Sequence, residues 1–410
     1  MDKKNDPMIR FHNYKELWEC DRLKNIFRTI RNAYVGTATP YYVEKGHFYL
    51  ESNNVKNGKI NYNSQIFIND EFYEKQRDKW LKTNDIVMVQ SGHVGHTAVI
   101  PKELNNTAAH ALIVFTDYKK EVNPHFLNYQ FQSSSKRKEL DLISTGNTIK
   151  HILASEMKSF KMDFPTIEEQ SAIGSLFCTL DDLLVSYKDN LANHQSLKAT
   201  MLSKMFPKAG QTVPEIRLDG FEGEWELLEV NDLADDFQSG GTPKTNVQEY
   251  WDGDIPWIQS SDLETNCLFE IKVQKSISEK GLKNSSAKII PKDSIAVVTR
   301  VGVGKLAVMR HEYATSQDFL SLSNLKSNIE FTVYLLYRLL QKEVTQLQGT
   351  SIKGITKVEL LSKKVLIPSL LEQQAIGAYF SNLDNLISAH QEKISQLETL
   401  KKKLLQDMFI

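Results

Sequence analysis

The chain has 410 residues, 41% hydrophobic and 25% charged, with a formal net charge of −1, as expected of a water-soluble protein with two or more cores. No apolar run approaches the ~20 residues that span a bilayer, the opening MDKKNDPMIRFHNY has no secretory h-region, and Cys20, Cys178 and Cys267 stand too far apart for a disulfide framework or a cysteine zinc site. A cytoplasmic location without a membrane partner is expected, and the overall charge gives nucleic-acid binding no support.

In chain order, turn-bounded β-branched and aromatic runs predict strands at His47–Leu50, Ile86–Val89 and Ala111–Phe115. Residues 1–150 carry about 22 basic against 17 acidic side chains. Phe126–Phe131 then predicts a packing helix. From Phe164 to Phe206 apolar residues fall three and four apart: Ile173, Phe177, Leu180, Leu184, Tyr187, Leu191, Met201 and Met205. That is a coiled-coil seam, interrupted by His194 and Lys198. Pro165 precedes it, and Glu169 suits the positive end of the helix.

Residues 211–350 hold about 14 basic against 21 acidic side chains, with the acids massed between Glu215 and Asp236. If this half meets nucleic acid, it does so through local basic loops, with the acidic run turned away. Ile295–Val298 predicts a strand and Tyr334–Leu340 a helix. A second seam follows at Ile376, Phe380, Leu383, Ile387, Ile394, Leu397, Leu404 and Met408, with His390 and Lys401 interrupting it.

The second seam repeats the first. Phe164–Phe206 matches Ile367–Phe409 without a gap, about 15 of 43 positions being identical. Weaker echoes pair Arg10 and Trp18 with Arg217 and Trp225, and QSGHVGHTAV with TRVGVGKLAV. The fold expected is α+β: strand-rich units at 1–160 and 210–364, separated by long helices at 161–209 and 365–410. A helix of ~40 residues is ~60 Å long and would leave one apolar stripe wet if alone. The two helices most simply pair as an antiparallel coiled coil in a pseudo-twofold internal repeat; a homodimer coiled coil is the alternative. Their outer faces, with Asp181, Asp182, Lys188, Asp189, Asp384, Glu392 and Lys393, are expected to meet solvent or a partner.

Ser239–Leu263 (SGGTPKTNVQEYWDGDIPWIQSSDL), Ile216–Ala234 and the P-x-x-x-E-Q entries at Pro165 and Pro368 resemble DNA specificity subunits of type I restriction-modification systems. So does the order of units and helices. The segment NIFRTIRNAYVGTATPYYV departs from that pattern, having no GGTP followed by YW and IPW. The resemblance implies two target-recognition domains, each reading one half of a bipartite double-stranded DNA site, with the helices setting the gap. It implies no catalysis by this chain. Two methyltransferase subunits carrying S-adenosylmethionine would dock on it, and two restriction subunits using ATP and magnesium could join. The alternative is an orphan coiled-coil scaffold that assembles with or sequesters methyltransferase subunits without reading DNA.

Candidate contacts follow from side-chain chemistry. Thr242 and Lys244, on a Gly-rich turn, suit phosphate. Thr299, Arg300 and Lys305 lie on a turn after a strand, where Arg300 suits a bidentate guanine contact. In the matching loop Gln90 and Ser91 suit base edges, and His93 or His96 phosphate. Asn147, Thr148 and Lys150, with Ser351 and Lys353, precede the long helices and suit phosphate. Turn formation and capping are the ordinary alternatives, and Trp251 and Trp257 are expected to pack rather than stack on bases.

Enzyme signatures fail. Gly302–Lys305 lacks the spacing and following hydroxyl of a phosphate loop. His93 and His96 lack a third metal ligand. Asn123-Pro124-His125-Phe126 approximates an amino-methyltransferase motif, but His125 breaks it.

Overall fold

The computed structural model describes residues 6–146, 150–269, 271–346 and 354–410. Contacts divide the chain into two units, Met1–Lys188 with Glu392–Ile410, and Asp189–Gln391. Both follow one α+β plan.

In the first unit a four-stranded antiparallel sheet runs Phe27–Asn32, Leu112–Tyr118, Ile86–Val89, Thr97–Val99. Its central strands are covered on both faces. Met88 and Phe115 pack with Leu127 and Phe131, while Val87 and Val114 pack with Leu50 and Val55. That is why these strands read as unbroken apolar runs rather than as alternation. The second unit repeats the sheet as Ala234–Ser239, Phe319–Leu325, Ser294–Val298, Leu306–Met309. The repeat extends to backbone detail. Left-handed residues precede the same strand in each unit, Asn84 at φ 69° and Asp293 at 57°, and sit near the end of another, Asp117 at 59° and Asn324 at 53°. Asn and Asp tolerate that conformation best among non-glycine residues.

A second, smaller sheet flanks each. His47–Leu50 runs parallel to Ala108–Ala109, and Trp251–Ile258 runs parallel to Ala314–Thr315. Tyr49 thus occupies in the first unit the register of Trp257 in the second, although the two stretches share no visible motif.

The long helices span Ile167–Lys204 and Leu370–Asp407, 38 residues each. They begin later than the expected boundaries at 161 and 365. Lys161–Phe164 and Lys364–Ile367 are strands, paired with Glu19–Arg22 and Glu226–Glu229, and Pro165 and Pro368 separate strand from helix. Each unit contains its own antiparallel helix pair. In the first, Lys401 reaches Asp181 at 2.6 Å and Lys188 reaches Glu398 at 2.6 Å. In the second, Lys198 reaches Asp384 at 2.5 Å, and His194 stacks on His390 with centroids 5.1 Å apart. Phe409 joins Trp18, Phe126 and Phe177 in the first unit, as Phe206 joins Trp225, Phe331 and Phe380 in the second.

Polar groups fix these junctions twice over. Glu169 accepts a two-pronged contact from Arg10 at 2.8 and 2.7 Å, and Glu372 accepts the same from Arg217 at 2.9 and 2.7 Å. Of Asp181 and Asp384, expected on solvent faces, the first is instead buried and the second half-buried. Each accepts from a tyrosine hydroxyl, Tyr129 at 2.8 Å and Tyr334 at 2.7 Å, as well as from its lysine. Burial and the adjacent carboxylate push both phenols far above their usual range.

Candidate nucleic-acid interface

In both units the loop leaving the covered central strand meets the segment leading back to the long helix. In the first, Ile152 N–H donates to the Gln90 carbonyl at 3.0 Å, Gly92 N–H donates to the Lys150 carbonyl at 3.1 Å, and Ser91 bridges His151. In the second, Ile355 N–H donates to the Thr299 carbonyl at 2.8 Å. A side chain at Gly354 would come within 2.6 Å of that carbonyl oxygen, so only glycine allows this approach. The structure therefore joins loops that lie far apart in sequence. Asn147, Thr148, Ser351 and Lys353 lie outside the described residues.

The expected contact residues divide by how their side chains are engaged. Arg300 is exposed beside Val301, which is 71% exposed, and no described partner holds its guanidinium. Lys244 and His93 are also exposed. Lys150 pairs with Asp141 at 2.9 Å, but both are open to solvent, and such a pair yields readily to a phosphate. Ser91 is half-buried, and the Gln90 side-chain oxygen Oε1 is buried without a partner among the described residues.

Four candidates are engaged in building the loops. Thr299 is buried, and its Oγ1 and N–H both donate to the Asp318 carbonyl, at 3.1 and 2.7 Å. The Lys305 ammonium donates to the Ser260 carbonyl at 3.2 Å, and Thr242 Oγ1 donates to the Gln317 side-chain oxygen at 2.6 Å. His96, offered with His93 for phosphate, has one ring nitrogen engaged within the fold. Its Nδ1 accepts from Asn57 N–H and Arg137, both at 3.2 Å. Burial, with Arg137, His93 and Lys56 nearby, pushes the ring down to about 4, so it is neutral at pH 7.

Sequence reasoning missed Thr315–Asp318, on which the Thr242 and Thr299 loops both hang, and Arg137, which reaches the Gln90–His96 loop from another helix. Neither carries a local signal. Trp251 and Trp257 pack edge to face at 5.1 Å, and their indole N–H groups donate to the carbonyls of Lys244 and Gly241 at 3.1 and 3.0 Å. The GGTP and YW…IPW motifs are thus two sides of one contact.

The Asn123–Phe126 stretch is part of the scaffold. Asn123 caps the helix Pro124–Gln132 by accepting from Phe126 N–H at 3.0 Å, and Asn328 does the same for Phe331 N–H at 2.9 Å. Among the described residues no group of three or more His, Cys, Asp or Glu could hold a metal ion, and no helix is long and apolar enough to cross a membrane.

The family described as the type I restriction modification DNA specificity domain matches residues 16–193 and again residues 222–399. The putative type I restriction enzyme MjaX specificity subunit of Methanocaldococcus jannaschii is 22% identical over 95% of this chain and 92% of its own length. The MjaIX specificity subunit of the same organism is 28% identical over 46% of this chain, and that match spans 44% of its own length. The crystal structure of the S subunit of a type I restriction-modification system from M. genitalium aligns over 99% of both chains, with a TM-score of 0.64 at 16% identity, a likeness of fold. With its domain matched twice across most of the sequence, the chain belongs to the type I restriction modification DNA specificity family.

Proposed function

We propose that this chain is the DNA-reading subunit of a type I restriction-modification complex, each unit reading one half of a bipartite duplex target. The observation that carries this reading is the loop pair built twice on the equivalent strand of the equivalent sheet, with different side chains on it: Gln90, Ser91 and His93 in one copy, Arg300 in the other. Identical scaffolds with unlike tips suit two different half-sites. Arg300 offers the bidentate fork that reads guanine in the major groove, and Lys244 and Lys150 offer charge to phosphate. The helix pair fixes the spacing of the halves, as dimer geometry does for other DNA readers.

In this reading chemistry belongs to partners. Two methyltransferase subunits carrying S-adenosylmethionine dock on the chain, and two restriction subunits using ATP and magnesium join to make a nuclease. Long-read methylation mapping of cells with and without the chain tests the proposal: a two-part motif should vanish on deletion. Loss of a continuous motif, or no loss, would count against it. The competing scaffold reading predicts complex formation with the methyltransferase but no salt-dependent, sequence-selective DNA retention.

A further inference from the structure

The second unit presents Gly240–Lys244 at the end of its first sheet strand, held from behind by two tryptophan N–H groups. The first unit has no such motif, yet the backbone builds the same place. Tyr34 N–H donates to the Ala109 carbonyl at 3.1 Å, where Gly241 N–H donates to the Thr315 carbonyl at 2.8 Å. Ala108–Ala109 and Ala314–Thr315 are the equivalent parallel strands. Beyond Tyr34 the chain turns outward through Val35, Gly36 and Thr37, all exposed, Val35 at 62%, and returns at buried Ala38. A ring N–H again holds a loop carbonyl from behind: His110 Nε2 lies 3.0 Å from the Gly36 oxygen.

We propose that Val35–Thr37 is a DNA-contact loop of the first unit and that His110 is the positioning residue that fixes it. Glu51 steadies the imidazole from the far side. Its Oε1 lies 3.5 Å from His110 Nδ1 and accepts from Tyr42 Oη at 2.5 Å; the carboxylate raises the affinity of the imidazole for its second proton, and the doubly protonated ring donates to Glu51 through Nδ1 and to Gly36 through Nε2. The ring lies beside Tyr49, with centroids 5.8 Å apart, and Tyr34, at 6.1 Å. Gly36 completes the fit, because a Cβ there would come within 2.8 Å of the Tyr34 hydroxyl. So fixed, the loop offers an apolar tip at Val35, suited to a thymine methyl, and a hydroxyl at Thr37, suited to a base edge or phosphate. Where the second unit uses two tryptophans to hold a cationic loop, the first uses a histidine–glutamate–tyrosine set to hold a neutral one.

This rests on the DNA-reading function proposed above, and the test separates the two. Complexes of the full chain with its methyltransferase partner, carrying wild-type sequence, Thr37→Glu, His110→Ala or His110→Gln, are compared by methylation mapping. Retention is measured on duplexes with either half of the mapped motif altered. Thr37→Glu, on an exposed side chain, should leave thermal stability unchanged and weaken retention about 10-fold, with selectivity relaxed at one half of the motif only. His110→Ala should relax the same half, and His110→Gln, whose amide can still donate to Gly36, should restore most of it. Wild-type retention and motif in Thr37→Glu would overturn the contact loop. Equal behaviour of the Ala and Gln variants would overturn the positioning role, and should His110→Ala fail to fold, the Gln and Thr37 variants still decide. If the wild-type complex itself selects no sequence, the DNA-reading proposal fails instead.

Discussion

Lys401→Met should destabilise the first unit by about 3 kcal/mol. Asp181 is 4% exposed and holds two close donors, the Lys401 ammonium at 2.6 Å and the Tyr129 hydroxyl at 2.8 Å. Removing one partner of a buried pair costs about 3–5 kcal/mol, because the other charge stays behind without compensation. Here the tyrosine remains and Lys59 stands 4.0 Å away, so the lower end applies. At about 2–4 °C per kcal/mol for a unit of this size, the midpoint should fall about 6–12 °C. Adding Asp181→Asn removes the stranded charge while leaving an acceptor for Tyr129, and should recover most of the loss. Lys198→Met with Asp384→Asn repeats the experiment in the second unit. Calorimetry on the full chain, with urea titration as a check, reads both. A loss below about 1 kcal/mol for Lys401→Met, or a double variant whose losses add, would refute the reasoning.

Gly174→Ala and Gly377→Ala should each cost about 1–2 kcal/mol in thermal unfolding, because the new methyl would lie 2.9 Å from Asn123 Oδ1 or 2.7 Å from Asn328 Oδ1, displacing a helix cap; unchanged midpoints would remove the cap argument. Arg300→Ala should relax one base position in one half of the methylated motif by about 1–3 kcal/mol of discrimination, and a uniform loss across sequences would mark a phosphate contact instead. His96 is held near 4 in the fold, below its usual value of about 6.5. Its neutral form therefore stabilises fully above pH 6.5, and that contribution is lost as pH falls through 4. His96→Gln should flatten the decline in midpoint between pH 6.5 and 4, and parallel declines would refute the shift. Leu180→Asp and Leu383→Asp, each in a helix seam at 5% exposure, should abolish assembly with the methyltransferase; an assembled complex that reads the same target would refute the paired-helix account.

The helices were legible because a 3.5-residue apolar period persists over two whole segments, and their pairing because a lone stripe that long is untenable in water. The central strands were legible as apolar runs. What the sequence hid was tertiary. Asp181 and Asp384 look like solvent residues until a tyrosine and a lysine from elsewhere bind them. Thr299 looks like a contact residue until the Asp318 carbonyl claims its hydroxyl. The first unit's counterpart of the Gly240–Lys244 loop was invisible because Trp257 and Tyr49 share a register but no motif, and register comes from strand pairing.

The two copies within one chain also sort their residues by physical task. Where a helix must meet a sheet at a fixed angle, both copies hold the same chemistry: an arginine fork on a buried glutamate, an asparagine cap against a glycine, a tyrosine and a lysine on one aspartate. Each set holds a buried member, Glu169, Glu372, Asp181, Tyr129 or Tyr334 among them, and a buried polar group left without its partner costs several times what a surface contact returns, so the set admits little substitution. At the loop tips the same backbone carries His93 in one copy and Arg300 in the other, both open to water where a change of side chain costs the fold little. A reader of DNA needs that division: rigid backbone positions at which side chains can change sign and shape without moving the frame. A loop tip in either unit should therefore tolerate exchange for the other's side chains with less than about 1 kcal/mol of lost stability, while its half of the methylated motif changes. If such exchanges unfolded the unit, the frame and the reading surface would not be separable, and the duplicated architecture would need another explanation.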